Sequence, residues 1–283
     1  NNSKDYNQVI VNMGEYPADA DRYEYFEYFL KKIKVPISIM GTYPHINSER
    51  ALKFNSPIIG DIISILDTDF NVSDVYIPDE FLNNYPEVGG KKRAIMKLTK
   101  GCPQHCKMCP VPAIYKGGYK YYNINESVER VKKLYNRGVR FITFTDDNIS
   151  AADKRFVKFM EAIKKENLKG LNFHSQEGFE VTAFGNEDFC RLLNETKWIQ
   201  VKLGVENIKE DFLKKIGKYY YNFDTISIAI KNIKKYNIKG VRFFYLMGLD
   251  ETENDVLDNL KYFSKHNVQL RTNILRKYKN TEL

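Results

Sequence analysis

Three cysteines lie close together in this chain, Cys102, Cys106 and Cys109, at the spacing C-x3-C-x2-C. Thiolate is the soft ligand that iron–sulfur clusters require, and three thiolates at this spacing can hold three corners of a cubic cluster. Three ligands instead of four leave one iron open to a substrate or cofactor, as in catalytic metal sites that keep an open position. The spacing therefore predicts a catalytic metal centre.

A structural zinc site is the main alternative for these cysteines. Structural zinc takes four ligands, and the only further candidate nearby is His105, whose position next to Cys106 is awkward for chelating the same ion. The remaining cysteine, Cys190, lies among apolar residues such as Phe189 and Leu192, where a free cysteine ordinarily belongs to the core. We therefore favour iron–sulfur over zinc and expect Cys190 in the core.

The composition excludes several other classes of protein. The chain has 283 residues, 43% hydrophobic and 28% charged, which excludes a disordered tail. Four cysteines are too few for a disulfide-stapled secreted domain, and there is neither a signal-peptide core nor an apolar run of about 20 residues, so we expect a cytoplasmic protein without a membrane partner. The chain starts with Asn1 rather than Met, which leaves open whether residues precede it.

The excess of positive charge carries little information about partners. The formal net charge is +8, but the basic residues are scattered in pairs on predicted helices, such as Lys132-Lys133 and Lys234-Lys235. Such pairs are typical of solvated helix faces, and net charge describes steering rather than a site. Nucleic acid is therefore a disfavoured partner.

Strands that alternate with helices predict an α/β protein with parallel sheets. Residues 1–78 read as a small, incomplete doubly wound domain, with strands at 9–13, 36–40 and 56–60. Pro86 and Gly89-Gly90 mark a linker at 79–93.

The larger domain, residues 94–283, repeats a longer strand-helix unit six times, as expected for a partial (β/α)6 TIM-like barrel. Its predicted strands are 94–98, 141–145, 171–174, 198–203, 241–247 and 268–275, and its predicted helices are 126–137, 152–166, 187–195, 209–216, 225–236 and 252–265. Barrel active sites lie at the carboxyl ends of the strands. The cysteines directly follow the first of these strands, so they are predicted to lie at the barrel mouth.

A C-x3-C-x2-C motif after the first strand of such a barrel resembles the radical S-adenosylmethionine (SAM) superfamily, and the resemblance extends over about 190 residues. It implies that Cys102, Cys106 and Cys109 hold a [4Fe-4S] cluster whose open iron is chelated by the amino and carboxyl groups of SAM. An external electron donor such as flavodoxin or ferredoxin would reduce the cluster, and SAM would then yield a 5′-deoxyadenosyl radical that abstracts hydrogen from a substrate. Met108 replaces the aromatic residue that the family usually has near the adenine.

The resemblance also implies the residues that contact SAM, at the ends of the next four strands. Asp147, with Asp146 as second choice and Asn148 beside them, would bind the amino group, although one of these residues could instead cap the next helix. The remaining candidates are His174 and Gln176 for the carboxylate, ribose or substrate, Glu206 and Asn207 for the ribose hydroxyls, and Leu246 for the adenine. His174 could equally be structural, and Leu246 could be ordinary core.

Residues 1–78 resemble the second half of a cobalamin-binding domain, through Gly41-Thr42-Tyr43-Pro44-His45 and Ile58-Ile59-Gly60-Asp61. Cobalamin-dependent radical SAM enzymes carry that domain before the barrel. The D-x-H-x-x-G motif and the early strands are absent from this chain, so either the strands lie upstream or the domain is degenerate and binds no cobalamin. Cobalamin is a possible cofactor, and not the favoured one. Cobalamin-dependent methyl transfer nevertheless stays among the candidate reactions.

Two other functions stay open from the sequence. The first is that of an RNA- or protein-modifying radical SAM enzyme without cobalamin. The loop Tyr115–Tyr122 interleaves basic and aromatic residues, which could stack on RNA, although we favour packing over the cluster mouth. A methylthiotransferase would need cysteines for a second cluster, which the chain lacks. The second open function is that of a metal-stabilised binding protein without catalysis. The fold class does not choose a substrate.

Overall fold

The structure is a computed structural model of the chain. It describes residues 90–115, 119–151, 153–276 and 281–283, together with the backbone of residues 9–12 and 37–40. The chain divides into two compact units, residues 1–75 with 278–280, and residues 76–277 with 281–283. Among the described residues, none of the helices combines the length and apolar character that crossing a membrane requires.

The smaller unit contains two parallel strands, β1 (Val9–Asn12) and β2 (Ile37–Met40), which pair from Val9 opposite Ile37 onwards. Both strands consist mainly of β-branched and other apolar residues, which favour extended backbone. The strands predicted at 9–13 and 36–40 are thus confirmed. The predicted strand at 56–60 and the two motifs compared with cobalamin-binding domains lie outside the described residues.

The larger unit repeats strands and helices along the chain. Its elements are β3 (Lys92–Met96), β4 (Thr99–Lys100), α1 (Val111–Ile114), β5 (Lys120–Tyr121), α2 (Ile124–Asn136), β6 (Val139–Phe144), α3 (Asp153–Lys165), β7 (Asn172–Ser175), a 3₁₀ helix (Val181–Gly185), α4 (Glu187–Glu195), β8 (Trp198–Glu206), α5 (Glu210–Lys215), α6 (Phe223–Lys235), β9 (Val241–Met247), α7 (Glu253–Lys265) and β10 (Gln269–Ile274). Six strands form one parallel sheet in the order β3-β6-β7-β8-β9-β10. The prediction of a partial barrel is confirmed.

Local signals explain why the predicted bounds of these elements were close. Asn186 caps α4 by accepting hydrogen bonds from the backbone of Asp188 and Phe189, and Thr252 forms a capping box with Asp255 at the start of α7. Strand β3 begins at Lys92, two residues before the strand predicted at 94–98. Lys92 and Arg93 belong to β3 because their backbone pairs with β6.

The two faces of the sheet differ in chemistry. On the outer face, Phe144, Phe173 and Trp198 pack against helices α3 and α4, with the rings of Phe144 and Trp198 centred 5.2 Å apart and Phe156 of α3 5.3 Å from Trp198. Aromatic packing of this kind dominates core energetics. The outer face therefore holds the helices, and the opposite, inner face is left to line the barrel.

Candidate active site at the carboxyl edge of the sheet

The cysteine loop, residues 101–110, is anchored at its start to the carboxyl edge of the sheet. It follows β4, which pairs antiparallel with β5, a short hairpin that the sequence did not predict. Asp146, directly after β6, accepts hydrogen bonds through Oδ1 from the backbone of Leu98 (2.8 Å) and Thr99 (2.5 Å) and from the Thr99 hydroxyl (2.8 Å). We therefore interpret Asp146 as an anchor of the loop, the structural alternative to its predicted contact with SAM.

Asp146 is fully buried, and burial is the main influence on the pKa of its carboxyl. Burial raises the pKa of its carboxyl to about 6, although the hydrogen bonds from Thr99 and Leu98 lower it. Its Oδ2 atom has no hydrogen-bond partner among the described residues. Burial therefore favours the protonated carboxyl, whereas the hydrogen bonds that anchor the loop favour the carboxylate.

Each of the three thiols has a hydrogen-bond partner. The amide of Asn148 and the backbone N–H of Gln104 donate to Cys102 Sγ, at 3.4 and 3.5 Å. The Tyr220 hydroxyl lies 3.9 Å from Cys106 Sγ, and the backbone of Val111 bonds to the Cys109 sulfur. Hydrogen bonds to sulfur favour thiolate and tune iron–sulfur clusters.

The thiols need positive charge to ionise. Burial raises the pKa of Cys102 to about 11 and that of Cys109 to about 12. Burial also raises the pKa of Cys106, against the nearby charge of Lys218. A bound metal deprotonates such thiols outright, so this donor set fits a cationic metal centre.

The three cysteines of the loop differ from Cys190 in burial. Cys102, Cys106 and Cys109 are free and half-buried, whereas Cys190 is fully buried in the core as predicted. Among the described residues, no group of three His, Cys, Asp or Glu side chains is gathered closely enough to hold one metal ion.

The segment that follows α5 supports the cysteine loop from the other side. The backbone N–H of Lys107 donates to the Ile216 carbonyl at 2.9 Å. At Gly217, with φ of +79°, a Cβ would lie 3.0 Å from Lys107 Cγ and 3.2 Å from the His105 carbonyl oxygen. Only glycine allows this approach and this backbone conformation.

A buried ion pair lies beside Cys106. Lys218 Nζ is 2.9 Å from Glu206 Oε1 and donates to the Gly204 carbonyl at 2.9 Å, and the two charged side chains are 8% and 11% exposed. Burial opposes the charge of Lys218, but Glu206 and the neighbouring tyrosines and Cys106 raise its pKa well above the ordinary value. Lys218 is therefore a permanent buried cation.

The backbone at the end of β8 is shaped around this pair. Glu206 has φ of +60°, in a tight turn closed by the bond from Asn207 N to the Val205 carbonyl at 2.7 Å. A Cβ at Gly204 would lie 3.0 Å from both Glu206 Oε1 and Lys218 Nζ. A non-glycine residue in the left-handed region is uncommon and often marks a functional site.

Glu180 links the cysteine loop to the end of β6. Its Oε1 accepts from the amide of Gln104 at 2.8 Å and from the amide of Asn148 at 2.6 Å. Its backbone N–H donates to the Ser150 hydroxyl at 2.8 Å. Glu180 thus orients the two residues that donate to Cys102.

The structure brings some predicted residues to this edge and gives others structural roles. Asn148 and Glu206 lie beside the thiols, and the charge of Asp147 acts on Cys109. Asn207 is fully buried, and its Oδ1 accepts from Lys209 N and Asn259 Nδ2. Its own Nδ2 has no partner among the described residues, which leaves one buried donor for a ligand.

The other predicted residues occupy the inner face or its rim. His174 Nδ1 lies 3.4 Å from the Thr143 hydroxyl, and the backbone carbonyl of Gln176 accepts from Lys202. Leu246 is buried, and Met108 is half-buried and packs on the hydrophobic core.

Sequence reasoning missed Glu180, Lys218 and Tyr220. Lys218 and Tyr220 lie in the run Lys218-Tyr219-Tyr220-Tyr221 directly after Gly217, and a tyrosine run after a helix-ending glycine was the available signal.

In the Tyr115–Tyr122 loop, Tyr121 and Tyr122 are buried, which argues against RNA stacking by these two rings.

Comparison with known proteins gives one family match. The model of the Radical SAM superfamily matches residues 96–263, more than half of the chain.

Two curated relatives are named methyltransferases. The bacteriochlorophyllide d C-12(1)-methyltransferase of Chlorobaculum tepidum is 26% identical over 162 residues, 54% of this chain and 33% of that protein. The uncharacterized methyltransferase PH0819 of Pyrococcus horikoshii is 26% identical over 199 residues, 69% of this chain and 42% of that protein. The chain thus spans less than half of either relative.

One solved structure shows the same fold over nearly the whole chain. It is the radical SAM methyltransferase TsrM from Kitasatospora setae with cobalamin and a [4Fe-4S] cluster bound, with a TM-score of 0.76 at 15% identity. The match covers 98% of this chain and 65% of TsrM.

Proposed function

The chain belongs to the radical SAM superfamily, and we propose on that basis that it is a methyltransferase that uses a cluster on Cys102, Cys106 and Cys109. As an enzyme of this superfamily its cofactors are a [4Fe-4S] cluster and SAM. When bound and reduced, these cofactors supply a 5′-deoxyadenosyl radical for hydrogen abstraction.

One observation carries the proposal most directly. Three half-buried free thiols, each with its own hydrogen-bond partner, share one loop at the carboxyl edge of a parallel sheet. Hydrogen bonding and burial around the sulfurs are the features by which a protein tunes such a cluster. A structural zinc site needs four ligands, and the only further candidate in the loop is His105, directly beside Cys106.

The surrounding residues have distinct proposed roles. Asp147 accepts from the ammonium group of SAM, and Asn148 orients Cys102. The Oε2 atom of Glu206 and the unpartnered Nδ2 of Asn207 serve the ribose hydroxyls, while Lys218 pairs with Glu206 through Oε1. The protein supplies binding, orientation and electrostatics, and the cofactors supply the radical.

Methyl transfer is supported by the names of the two curated relatives and by the fold shared with TsrM. Because that likeness extends through the smaller unit, we add cobalamin to the proposal, although the sequence alone argued against it. The proposal assigns no residues to cobalamin. The similarity to these relatives and to TsrM does not identify the substrate.

Anaerobic reconstitution tests the cofactor part of the proposal. We expect about four irons and four sulfides per chain, an electron paramagnetic resonance signal that changes when SAM is added, and 5′-deoxyadenosine after reduction. Zinc in place of iron, or no 5′-deoxyadenosine, would contradict it.

A separate assay tests methyl transfer. Holoenzyme incubated with methyl-deuterated SAM and a small-molecule extract should yield S-adenosylhomocysteine and a product that carries the deuterated methyl group. Retention of hydroxocobalamin after gel filtration tests cobalamin binding. An enzyme that yields 5′-deoxyadenosine but no S-adenosylhomocysteine would be a radical SAM enzyme of another reaction class.

A further inference from the structure

The inner face of the sheet carries a row of positive charges. Side chains alternate between the two faces of a strand, and Val201, Leu203 and Phe243 belong to the hydrophobic core on the outer face. Their neighbours Lys202 of β8 and Arg242 of β9 therefore lie on the inner face.

Arg271 of β10 belongs to the same row. Its guanidinium carbon lies 5.6 Å from the ring centre of Phe244, the residue that it opposes in β9. Gln269, two residues earlier in β10, opposes Arg242 and accepts from Arg242 Nε at 2.9 Å. The basic row is defined by Lys202, Arg242 and Arg271.

The register places like charges next to each other. Lys202 and Arg242 are direct partners across β8 and β9, on strands that run about 4.8 Å apart. Like charges directly opposite each other destabilise a sheet. In the described part of the chain, no carboxylate lies within ion-pairing distance of Lys202, Arg242 or Arg271. Within the described residues the row therefore has no ion-pair partner, although the charge of Glu177 acts on Lys202.

The electrostatic effects of the row reach neighbouring groups. Burial lowers the pKa of Lys202, and the charges of Arg271 and Arg242 lower it further, opposed by Glu177. Burial, followed by the charges of Lys202 and Arg93, lowers the pKa of His174 to about 4. His174 is therefore neutral at neutral pH, and the inner face keeps its positive charge on lysine and arginine.

We propose that the substrate carries an acidic group, a carboxylate or a phosphate, and that Lys202, Arg242 and Arg271 bind this group on the inner face. Guanidinium forks match both kinds of anion. Arg242 and Arg271 are exposed, so a ligand can reach them. The proposal rests on the proposed function, because it concerns the substrate of that same site.

The distance between the basic row and the candidate cofactor site can be spanned by a substrate. Lys202 precedes Glu206 by four residues on β8, about 13 Å along an extended strand. Its ammonium donates to the carbonyl of Gln176, at the carboxyl end of β7. A substrate anchored by its acidic group on the row can thus extend towards the rim where the thiols lie.

Anion binding to the reconstituted holoenzyme tests this proposal without turnover. We would titrate pyrophosphate and succinate separately by anaerobic calorimetry at low ionic strength. Arg242→Gln and Arg271→Gln should each weaken binding about 10-fold, because each removes a charge-assisted hydrogen bond. Lys261→Gln removes one positive charge from the exposed side of α7 and should leave the affinity unchanged. Circular dichroism checks the folding of each variant.

Each result of this titration has one meaning. Binding of either probe that depends on both arginines supports the proposal, and the probe that binds more tightly identifies phosphate or carboxylate as the group. Failure of the wild type to bind either probe, or unchanged affinity in both arginine variants, would overturn it. A wild type that binds the anion but does not cleave SAM would contradict the proposed function alone.

Discussion

The cysteine loop and the basic row on the inner face are built in opposite ways. Around the loop, charged groups have partners within the chain, as in the pair Lys218–Glu206 or the amides held by Glu180. Along the row, Lys202 and Arg242 face each other, and neither forms a salt bridge with the described residues, although the charge of Glu177 acts on Lys202. Both regions lie on the same sheet.

The difference distinguishes groups whose hydrogen bonds and ion pairs form within the chain from charged groups that need a ligand for charge balance. Hydrogen bonds that are already formed hold the thiols and their neighbours in place before any cofactor binds, which is what precise cofactor chemistry requires. The basic row stays electrostatically incomplete until an anion arrives. Substitutions in the two regions should therefore affect stability very differently.

Lys218→Met should have the largest effect on stability, because it leaves the buried Glu206 without its ion-pair partner. We expect the free energy of unfolding to fall by about 3–5 kcal/mol in chemical denaturation of the cluster-free protein under reducing conditions. The double variant Lys218→Met with Glu206→Gln should regain most of this loss. A single variant within about 1 kcal/mol of the wild type would show that the pair is not the partnered element described above.

Asp146→Asn should change how stability depends on pH. The pKa of Asp146 is raised from 3.8 to about 6 in the folded state, so its contribution is fully present below about pH 4 and is lost as the pH rises through about 6. Asparagine keeps the oxygen that accepts from Leu98 and Thr99 but cannot ionise.

Urea unfolding of both proteins at several pH values measures this difference. Between about pH 4 and pH 7 the wild type should lose about 3 kcal/mol relative to Asp146→Asn. Parallel stability curves for the two proteins would contradict the assignment of Asp146 as a buried anchor.

Arg242→Gln should have the smallest effect, although it also removes a charge. Arg242 has no ionic partner in the described residues and opposes Lys202, so its loss relieves repulsion as well as breaking the bond to Gln269. We expect the free energy of unfolding to change by less than about 0.5 kcal/mol in urea denaturation. Destabilisation as large as that of Lys218→Met would remove the distinction between the two regions.

The sequence predicted the regular part of the fold well, for identifiable reasons. All six strands of the large sheet and the six helices between and around them lie within three residues of their predicted bounds, because apolar periodicity and caps such as Asn186 and Thr252 mark them locally. The hairpin of β4 and β5 was missed because each of its strands has only two residues.

The candidate site was predictable only where short motifs define it. The cysteine spacing and Gly204-Val205-Glu206-Asn207 are local signals. Lys218 approaches Glu206 from twelve residues away, and Glu180 reaches Gln104 across 76 residues, so their roles depend on tertiary packing. The basic row depends on the register of β8, β9 and β10, which alternation within one strand does not reveal.

The most direct test of the central claim is 5′-deoxyadenosine production by cysteine variants of the reconstituted enzyme. Cys106→Ala should lose the cluster iron and produce no 5′-deoxyadenosine from SAM and reductant. Cys190→Ala, which changes a cysteine buried in the core, should keep about four irons per chain and the ability to cleave SAM. A Cys106→Ala enzyme that retained its cluster and cleaved SAM as fast as the Cys190→Ala enzyme would contradict the assignment of the three-cysteine site.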